Sequence, residues 1–194
     1  MKKHAIRIVG GEYRRTPITV VTAPGLRPTP DRVRETLFNW LAHLWGGHFH
    51  DKRVLDLFAG TGALGFEAAS RGVAHVQMVE TAPAAVDALR ALRNRLQATQ
   101  VRIHAGDALQ VLSRLRATPF DLVLLDPPFH ADWPDTLWQL LPSVLHTDSL
   151  VYIEAEKQPA LPKWLVPLRQ SRAGRVQFSL HRFDATADTV DNSG

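Results

Sequence analysis

The apolar run Phe120-Asp121-Leu122-Val123-Leu124-Leu125 ends on Asp126-Pro127-Pro128-Phe129. A carboxylate, two prolines and a phenyl ring at the mouth of a buried strand suit a flat ring that bears an amino group. Asp126 and nearby main-chain carbonyls can accept hydrogen bonds from an exocyclic amine. The prolines fix the backbone and remove its own donors, and the phenyl face can stack on a base. Asp-Pro and Pro-Pro are also ordinary turn signals, so these four residues need company before they define a site.

That company lies upstream, at the carboxyl ends of successive predicted strands, where open α/β sheets bind ligands. The first group is Asp56-Leu57-Phe58-Ala59-Gly60-Thr61-Gly62-Ala63-Leu64-Gly65. Gly60 and Gly62 permit a tight turn with close backbone approach, and Gly65 lets the next helix pack on the sheet. Glu80 follows Val76-Gln77-Met78-Val79 and is placed to bind the two hydroxyls of a ribose. Gly106-Asp107 follows Val101-Arg102-Ile103-His104, where a side chain can accept from an adenine amino group. The glycine string also satisfies the dinucleotide fingerprint, so a nicotinamide dehydrogenase is a rival reading. Two features favour another ligand. Asp56, four residues before Gly60, is placed for a charged amine such as the methionine moiety of S-adenosylmethionine, and Asp126 offers a base pocket where a dehydrogenase needs a hydride acceptor.

These residues require a scaffold, and hydrophobic periodicity supplies one. Strands are predicted at 53–58, 75–80, 101–105, 120–126 and 149–155, alternating with helices at 63–71, 83–97, 108–116 and 134–145. Short, near-continuously apolar strands between helices indicate a parallel sheet covered on both faces. Two further strands, near 168–173 and 175–183 with Ala173-Gly174 at the turn, predict an antiparallel edge. Alternation over 5–22 around Gly10-Gly11 predicts a hairpin, and 184–194 reads as a polar, frayed tail. Thr29-Pro30-Asp31 reads as a helix start with Thr29 as its N-cap, followed by Val33, Leu37, Trp40, Leu41 and Leu44 on one face; Gly46-Gly47 ends it. Trp133, Trp138 and Trp164 read as packing residues.

Composition narrows the class. In 194 residues there is no cysteine, so no disulfide framework or thiolate metal site, and the nine histidines show no metal spacing; no metal is expected. No apolar stretch approaches the roughly 20 residues that cross a bilayer, and no apolar signal core follows Met1-Lys2-Lys3-His4, so a cytoplasmic protein is expected. Net charge is +4. Residues 1–34 hold eight basic and two acidic side chains, a net +6, leaving −2 for the other 160. A basic arm on a mildly acidic body fits phosphate binding, with Arg7, Arg14, Arg15, Arg27, Arg32 and Arg34 as candidate RNA contacts. Arg32 and Arg34 have a competing role in ion pairs with Asp31 and Glu35.

The sheet segment resembles the class I S-adenosylmethionine-dependent methyltransferases, and Asp126–Phe129 resembles the motif of those that methylate exocyclic amines of bases. Arg7-Ile8-Val9-Gly10-Gly11 and the stretch from Gly25 to Leu41 (GLRPTPDRVRETLFNWL) closely resemble the bacterial 16S rRNA guanine-N2 methyltransferases of the small-subunit methyltransferase D family. The match runs from about residue 5 to 183; Ile8-Val9 and Thr61 are mild variants. The resemblance implies a doubly wound Rossmann-like fold with a mostly parallel seven-stranded sheet and a small N-terminal hairpin extension. It divides the chain into an RNA-contacting arm (1–28), a methyltransferase domain (29–183) and a disordered tail (184–194). It implies S-adenosylmethionine held by Thr29, Asp56, Ala59, Gly60, Thr61, Gly62, Glu80, Asp107, Ala108 and Asp126, with catalysis by Asp126, Pro127, Pro128 and Phe129. The product would be N2-methylguanosine in 16S rRNA, made by a monomer acting on the small subunit or its assembly intermediate. Such a base must be unpaired or flipped to enter the pocket. The Asp-Pro-Pro-Phe motif alone permits an adenine-N6 methyltransferase on DNA or RNA equally well, and a non-catalytic RNA-binding module with a cofactor fold is a third reading.

Overall fold

The computed structural model describes residues 6–20, 29–115, 119–128 and 133–187. β1 (Ile6–Arg7) and β2 (Pro17–Ile18) pair antiparallel as a small separate sheet. There follow α1 (Asp31–Leu44), β3 (Arg53–Asp56), α2 (Ala63–Ser70), β4 (His75–Glu80), α3 (Pro83–Leu96), β5 (Val101–Ala105), α4 (Ala108–Arg114) and β6 (Phe120–Leu125). The chain continues through α5 (Asp135–Leu140), a 3₁₀ turn (Leu141–Val144), β7 (Leu145–Ala155), β8 (Leu165–Ala173) and β9 (Val176–Phe183). Seven strands form one sheet in the order β5-β4-β3-β6-β7-β9-β8, with β3 to β7 parallel and β9 antiparallel to both of its neighbours. This is the expected doubly wound sheet with an antiparallel C-terminal edge.

The period-two alternation of each strand feeds two cores. Val54, Met78, Leu122, Leu124, Leu150 and Tyr152 pack with residues of α1, α2 and α3, including Leu37, Phe38, Phe66 and Leu89. Leu55, Val79, Val123, Leu125, Val151 and Ile153 pack on the opposite face with Val111 and Leu112 of α4 and Leu137 of α5. Trp133, Trp138, Trp164 and Phe183 form a chain of ring contacts on that second face, with the first two stacked 5.6 Å apart, which accounts for the tryptophans as packing.

Several elements differ from their expected bounds, each for a local reason. The helix expected over 134–145 stops at Leu140 because Pro142 has no N–H to continue it, and β7 starts four residues before the predicted 149. β8 extends back through Pro167, which an edge strand tolerates; the register with β9 shifts between Pro167 and Arg169. The tail does not fray at Asp184: residues 184–187 form a turn in which the Asp184 amide donates to the Trp164 carbonyl at 2.9 Å, while 188–194 lie outside the described residues. Thr29 does not cap α1, whose N-cap position is Pro30 without a side-chain bond.

The N-terminal hairpin is fastened to α2 by buried polar groups. Glu67, fully buried, accepts from the Val9 amide at 2.7 Å and the Gly10 amide at 2.8 Å. It also pairs with Arg34 at 3.5 Å and Arg71 at 3.0 Å. Gly11, at φ +74°, lies so close to the end of α2 that a Cβ would fall 1.8 Å from the Ser70 carbonyl oxygen. This corrects one expectation. Arg34 is not available to RNA: it is 0% exposed, bonded to Asp31 at 2.6 Å as well as to Glu67. It sits four residues before Phe38 and seven before Leu41, within the buried stripe of α1.

Candidate active site

Two of the acids expected to do chemistry stand at the ends of neighbouring strands. Asp56 ends β3, Asp126 follows β6, and both continue the series that faces α1, α2 and α3. β3 and β6 register Asp56 against Leu124, which brings the two strand ends to one mouth. A cavity of about 250 Å³ opens there, lined by Thr29, Asp56, Gly60, Glu80, Asp107 and Asp126 among others. Ala59, Thr61, Ala108, Pro127 and Pro128 also line it. Phe129 lies outside the described residues, as does Arg27.

The glycine turn is built as its chemistry requires. Gly60 and Gly62 have φ of +53° and +79°, in the region that disfavours side chains. A Cβ on Gly62 would meet Leu89 at 2.5 Å, and one on Gly65 would meet the Met78 side chain at 2.4 Å. Glu80 is held by the amides of Gly60 and Ala82, each at 2.8 Å on a different carboxylate oxygen. The Thr81 hydroxyl also donates to Oε1 at 3.4 Å, and Oε2 keeps a second lone pair for a hydroxyl. Asp107 caps α4 by accepting from the Gln110 amide at 3.0 Å, which commits its Oδ1 and leaves it exposed at the cavity rim.

Asp56 carries the clearest mark of a ligand site. It is 1% exposed; Oδ2 accepts from the Gly65 amide at 3.1 Å, whereas Oδ1 is buried without a hydrogen-bond partner. Burial pushes its pKa up to about 7, against the lowering effect of the Gly65 and Phe58 amides, and Glu80 adds to the rise. A cationic amine is the partner that such a carboxyl lacks. Because the folded state holds this proton more tightly than the unfolded chain, the contribution of Asp56 to stability is fully present below the ordinary value of 3.8 and is lost as pH rises to about 7. Asp56→Asn therefore raises the Tm of the ligand-free protein at pH 8, by on the order of a few kcal/mol of stability, and removes the Tm increase that an amine-bearing ligand gives. Differential scanning fluorimetry at pH 5 and pH 8 checks both; an unchanged ligand response in the variant would exclude Asp56 from the site.

Asp126 takes the Thr29 hydroxyl as donor at 3.1 Å, so Thr29 serves the cavity instead of capping α1. Burial, followed by the nearby Glu154 carboxylate, holds the Asp126 carboxyl well above the usual carboxylate range; the Thr29 bond opposes this and Asp56 adds to it.

The comparisons with known proteins agree with this geometry. The family model described as "Conserved hypothetical protein 95" matches residues 6–182. The protein of Escherichia coli strain K12 called ribosomal RNA small subunit methyltransferase D is 37% identical over 190 residues, covering 95% of this chain and 93% of its own. The Haemophilus influenzae protein of the same name is 35% identical over 187 residues, covering 93% and 95%. The chain belongs to the small-subunit ribosomal RNA methyltransferase D family. A solved Escherichia coli structure with a provisional methyltransferase designation superposes at TM-score 0.80 with 38% identity, over 93% of this chain and 99% of that one. An RNA methyltransferase of Salinibacter ruber, solved with S-adenosyl-L-homocysteine, shares the fold at TM-score 0.61 and 19% identity, over 82% and 95%.

In this methyltransferase D family member the sequence-predicted cations divide. Arg14, Arg15 and Arg32 are exposed, and Arg7 is exposed while pairing with Asp31 at 3.5 Å. Sequence reading passed over two groups. Arg169, Arg172 and Arg175 are exposed along β8 and its turn, beside Ala173 and Val176 at the cavity; no acid lies between 165 and 183, which is the signal that marks them. Glu154, 6% exposed, lines the same cavity from the end of β7. Its signal is an acid following the apolar run Leu150-Val151-Tyr152-Ile153, the pattern already present at Asp56 and Asp126.

Proposed function

We propose that this chain transfers a methyl group from S-adenosylmethionine to the exocyclic N2 of a guanine in small-subunit rRNA. The observation that carries the reading is the joining of two half-sites in one cavity. Asp56, the glycine turn and Glu80 fit a donor with a cationic amine and a ribose, while Asp126-Pro127-Pro128 faces it from β6. When bound, S-adenosylmethionine supplies a methyl group on a positively charged sulfur, already activated for displacement. Family membership and the fold relative solved with S-adenosyl-L-homocysteine support that donor.

The residues of the chain chiefly position and polarise. Guanine N2 is a weak nucleophile because its lone pair is delocalised into the ring. Asp126 and the Pro127 carbonyl accept from its two hydrogens, draw the nitrogen toward tetrahedral geometry and localise the pair. Once N2 takes the methyl group its proton becomes acidic, and the Asp126 carboxylate would be placed to receive it. The raised pKa of Asp126 suits it to keep that proton until product leaves. Asp56 and Glu80 hold the donor, and Thr29 fixes the Asp126 rotamer. The exposed arginines of the hairpin and of β8 supply phosphate contacts on either side of the mouth.

The test is nucleoside analysis after methyl transfer from labelled S-adenosylmethionine to small-subunit rRNA, offered protein-free and as assembled subunits. Labelled N2-methylguanosine at one position is expected. Labelled N6-methyladenosine, or label in DNA alone, would overturn the reading in favour of adenine.

A further inference from the structure

Glu154 has no task in the transfer as described, yet it stands beside Asp126. The parallel register of β6 and β7 pairs Leu124 with Tyr152 and Leu125 with Ile153. One residue further, Asp126 and Glu154 fall abreast on strands about 4.8 Å apart, both on the face covered by α1, α2 and α3. Both line the cavity with Pro127 and Pro128. Tyr152, fully buried and packed 6.4 Å from Phe178 between ring centroids, donates its hydroxyl to Glu154 Oε2 at 2.8 Å. Two residues along a strand share a face, so this contact holds the carboxylate at the mouth and fixes its direction. Burying a carboxylate costs several kcal/mol even when it is bonded, and a leucine here would pack the strand end without that cost.

A pair of abreast acceptors matches one base edge. Guanine presents two adjacent donors, N2–H and N1–H. Adenine places a lone pair at N1 beside its amino group, and cytosine a lone pair at N3. Against two carboxylates, either of those would set lone pair against lone pair. We propose that Glu154 accepts the guanine N1–H while Asp126 accepts from N2, so that Glu154 is the residue that selects guanine over adenine and Tyr152 is its positioning residue. The assignment rests on the N2-methylation reading above. A site built to hydrogen-bond a donor rejects an analogue that lacks it by large factors, because a carboxylate lone pair then faces the lone pair of the base.

The experiment uses 2-aminopurine, which keeps the amino group at C2 but has a lone pair at N1. Small-subunit rRNA with guanine or 2-aminopurine ligated at the mapped target position is assembled into subunits and methylated by the wild-type, Glu154→Gln and Tyr152→Phe proteins. The wild type is expected to prefer guanine by more than about 100-fold in kcat/KM. Glu154→Gln, whose amide can donate to the N1 lone pair, is expected to shrink that preference at least tenfold, with Tyr152→Phe between the two. The loss of O6 in 2-aminopurine weighs on all three proteins alike and cancels from the comparison. The proposal is overturned if the wild type accepts both bases within tenfold. It is equally overturned if Glu154→Gln slows both substrates by the same factor, which is what a merely structural carboxylate would give. Should Glu154→Gln not fold, the Tyr152→Phe preference ratio decides alone, and a ratio unchanged from wild type overturns the assignment. Failure of the underlying reading looks different: the wild-type product on unmodified rRNA would not be N2-methylguanosine.

Discussion

Asp126→Ala lowers kcat for methyl transfer by roughly 10²- to 10⁴-fold while the Kd for S-adenosylmethionine changes by less than about tenfold. In the proposed reaction the side chain accepts from the reacting amine and takes its proton, while the cavity residues of β3, β4 and the glycine turn would hold the donor. Asp126→Asn separates the two roles. An amide oxygen still accepts from N2 and from Thr29, so this variant is expected to retain more activity than alanine. It cannot take the proton, so it loses the acid limb of the pH profile. In the wild type that limb lies well above the ordinary carboxylate value of 3.8, because burial and Glu154 raise the group; kcat/KM climbs with pH as the carboxylate form fills. Radiolabel transfer across pH measures both. An alanine variant with more than a tenth of the wild-type kcat would remove Asp126 from the chemistry.

Glu67→Ala is expected to cost about 3–5 kcal/mol of stability, the range for breaking a buried ion pair from one side. Arg34 would be left 0% exposed, with only Asp31, whose side chain is 42% exposed, to balance it. Burial lowers the Arg34 pKa against the pull of Glu67 and Asp31, in that order, so these two acids are the chief balance of a buried cation. The amides of Val9 and Gly10 lose their acceptor in the same substitution. The combined Arg34→Met, Glu67→Met variant, which removes both charges, is expected to recover part of the loss. Urea unfolding of the three proteins checks this. A Glu67→Ala loss below about 1 kcal/mol would show that the network contributes little to the fold.

Much of this was readable in the residues, and three of the misses share a cause. Strands and helices followed from local periodicity, and the strand-end acids from their punctuation of apolar runs. Thr29 carried two readings, an N-cap from the sound local signal Thr-Pro-Asp and a residue beside the cofactor; the cap does not form, and its hydroxyl bonds Asp126 at the cavity, 97 residues away. Arg34 misled because a charge in a basic segment reads as exposed until Glu67, 33 residues on, is seen beneath it. Its place on the stripe of Phe38 and Leu41 was the available warning. Glu154 went unread because a lone acid ending a strand acquires meaning only from the strand beside it. Each miss is a polar side chain whose partner is distant in the chain, which periodicity does not encode.

The helix α2 begins at the glycine turn that lines the cavity and ends at Ser70, on which the basic hairpin is seated. At eight residues it is a strut about 12 Å long, so the arm and the donor loop are its two ends. The hairpin is therefore not a removable module. A boundary drawn at Thr29 removes the Val9 and Gly10 amides that donate to Glu67 and uncovers the guanidinium of Arg71, which lies over the Phe38 ring. Grafting the hairpin onto another methyltransferase would require carrying Glu67, Ser70 and the matching Arg34 of α1 with it. Variation at either end of the strut is accordingly constrained by the other, and substitutions that retune substrate choice through the arm should be sought in its exposed arginines, which this network leaves untouched.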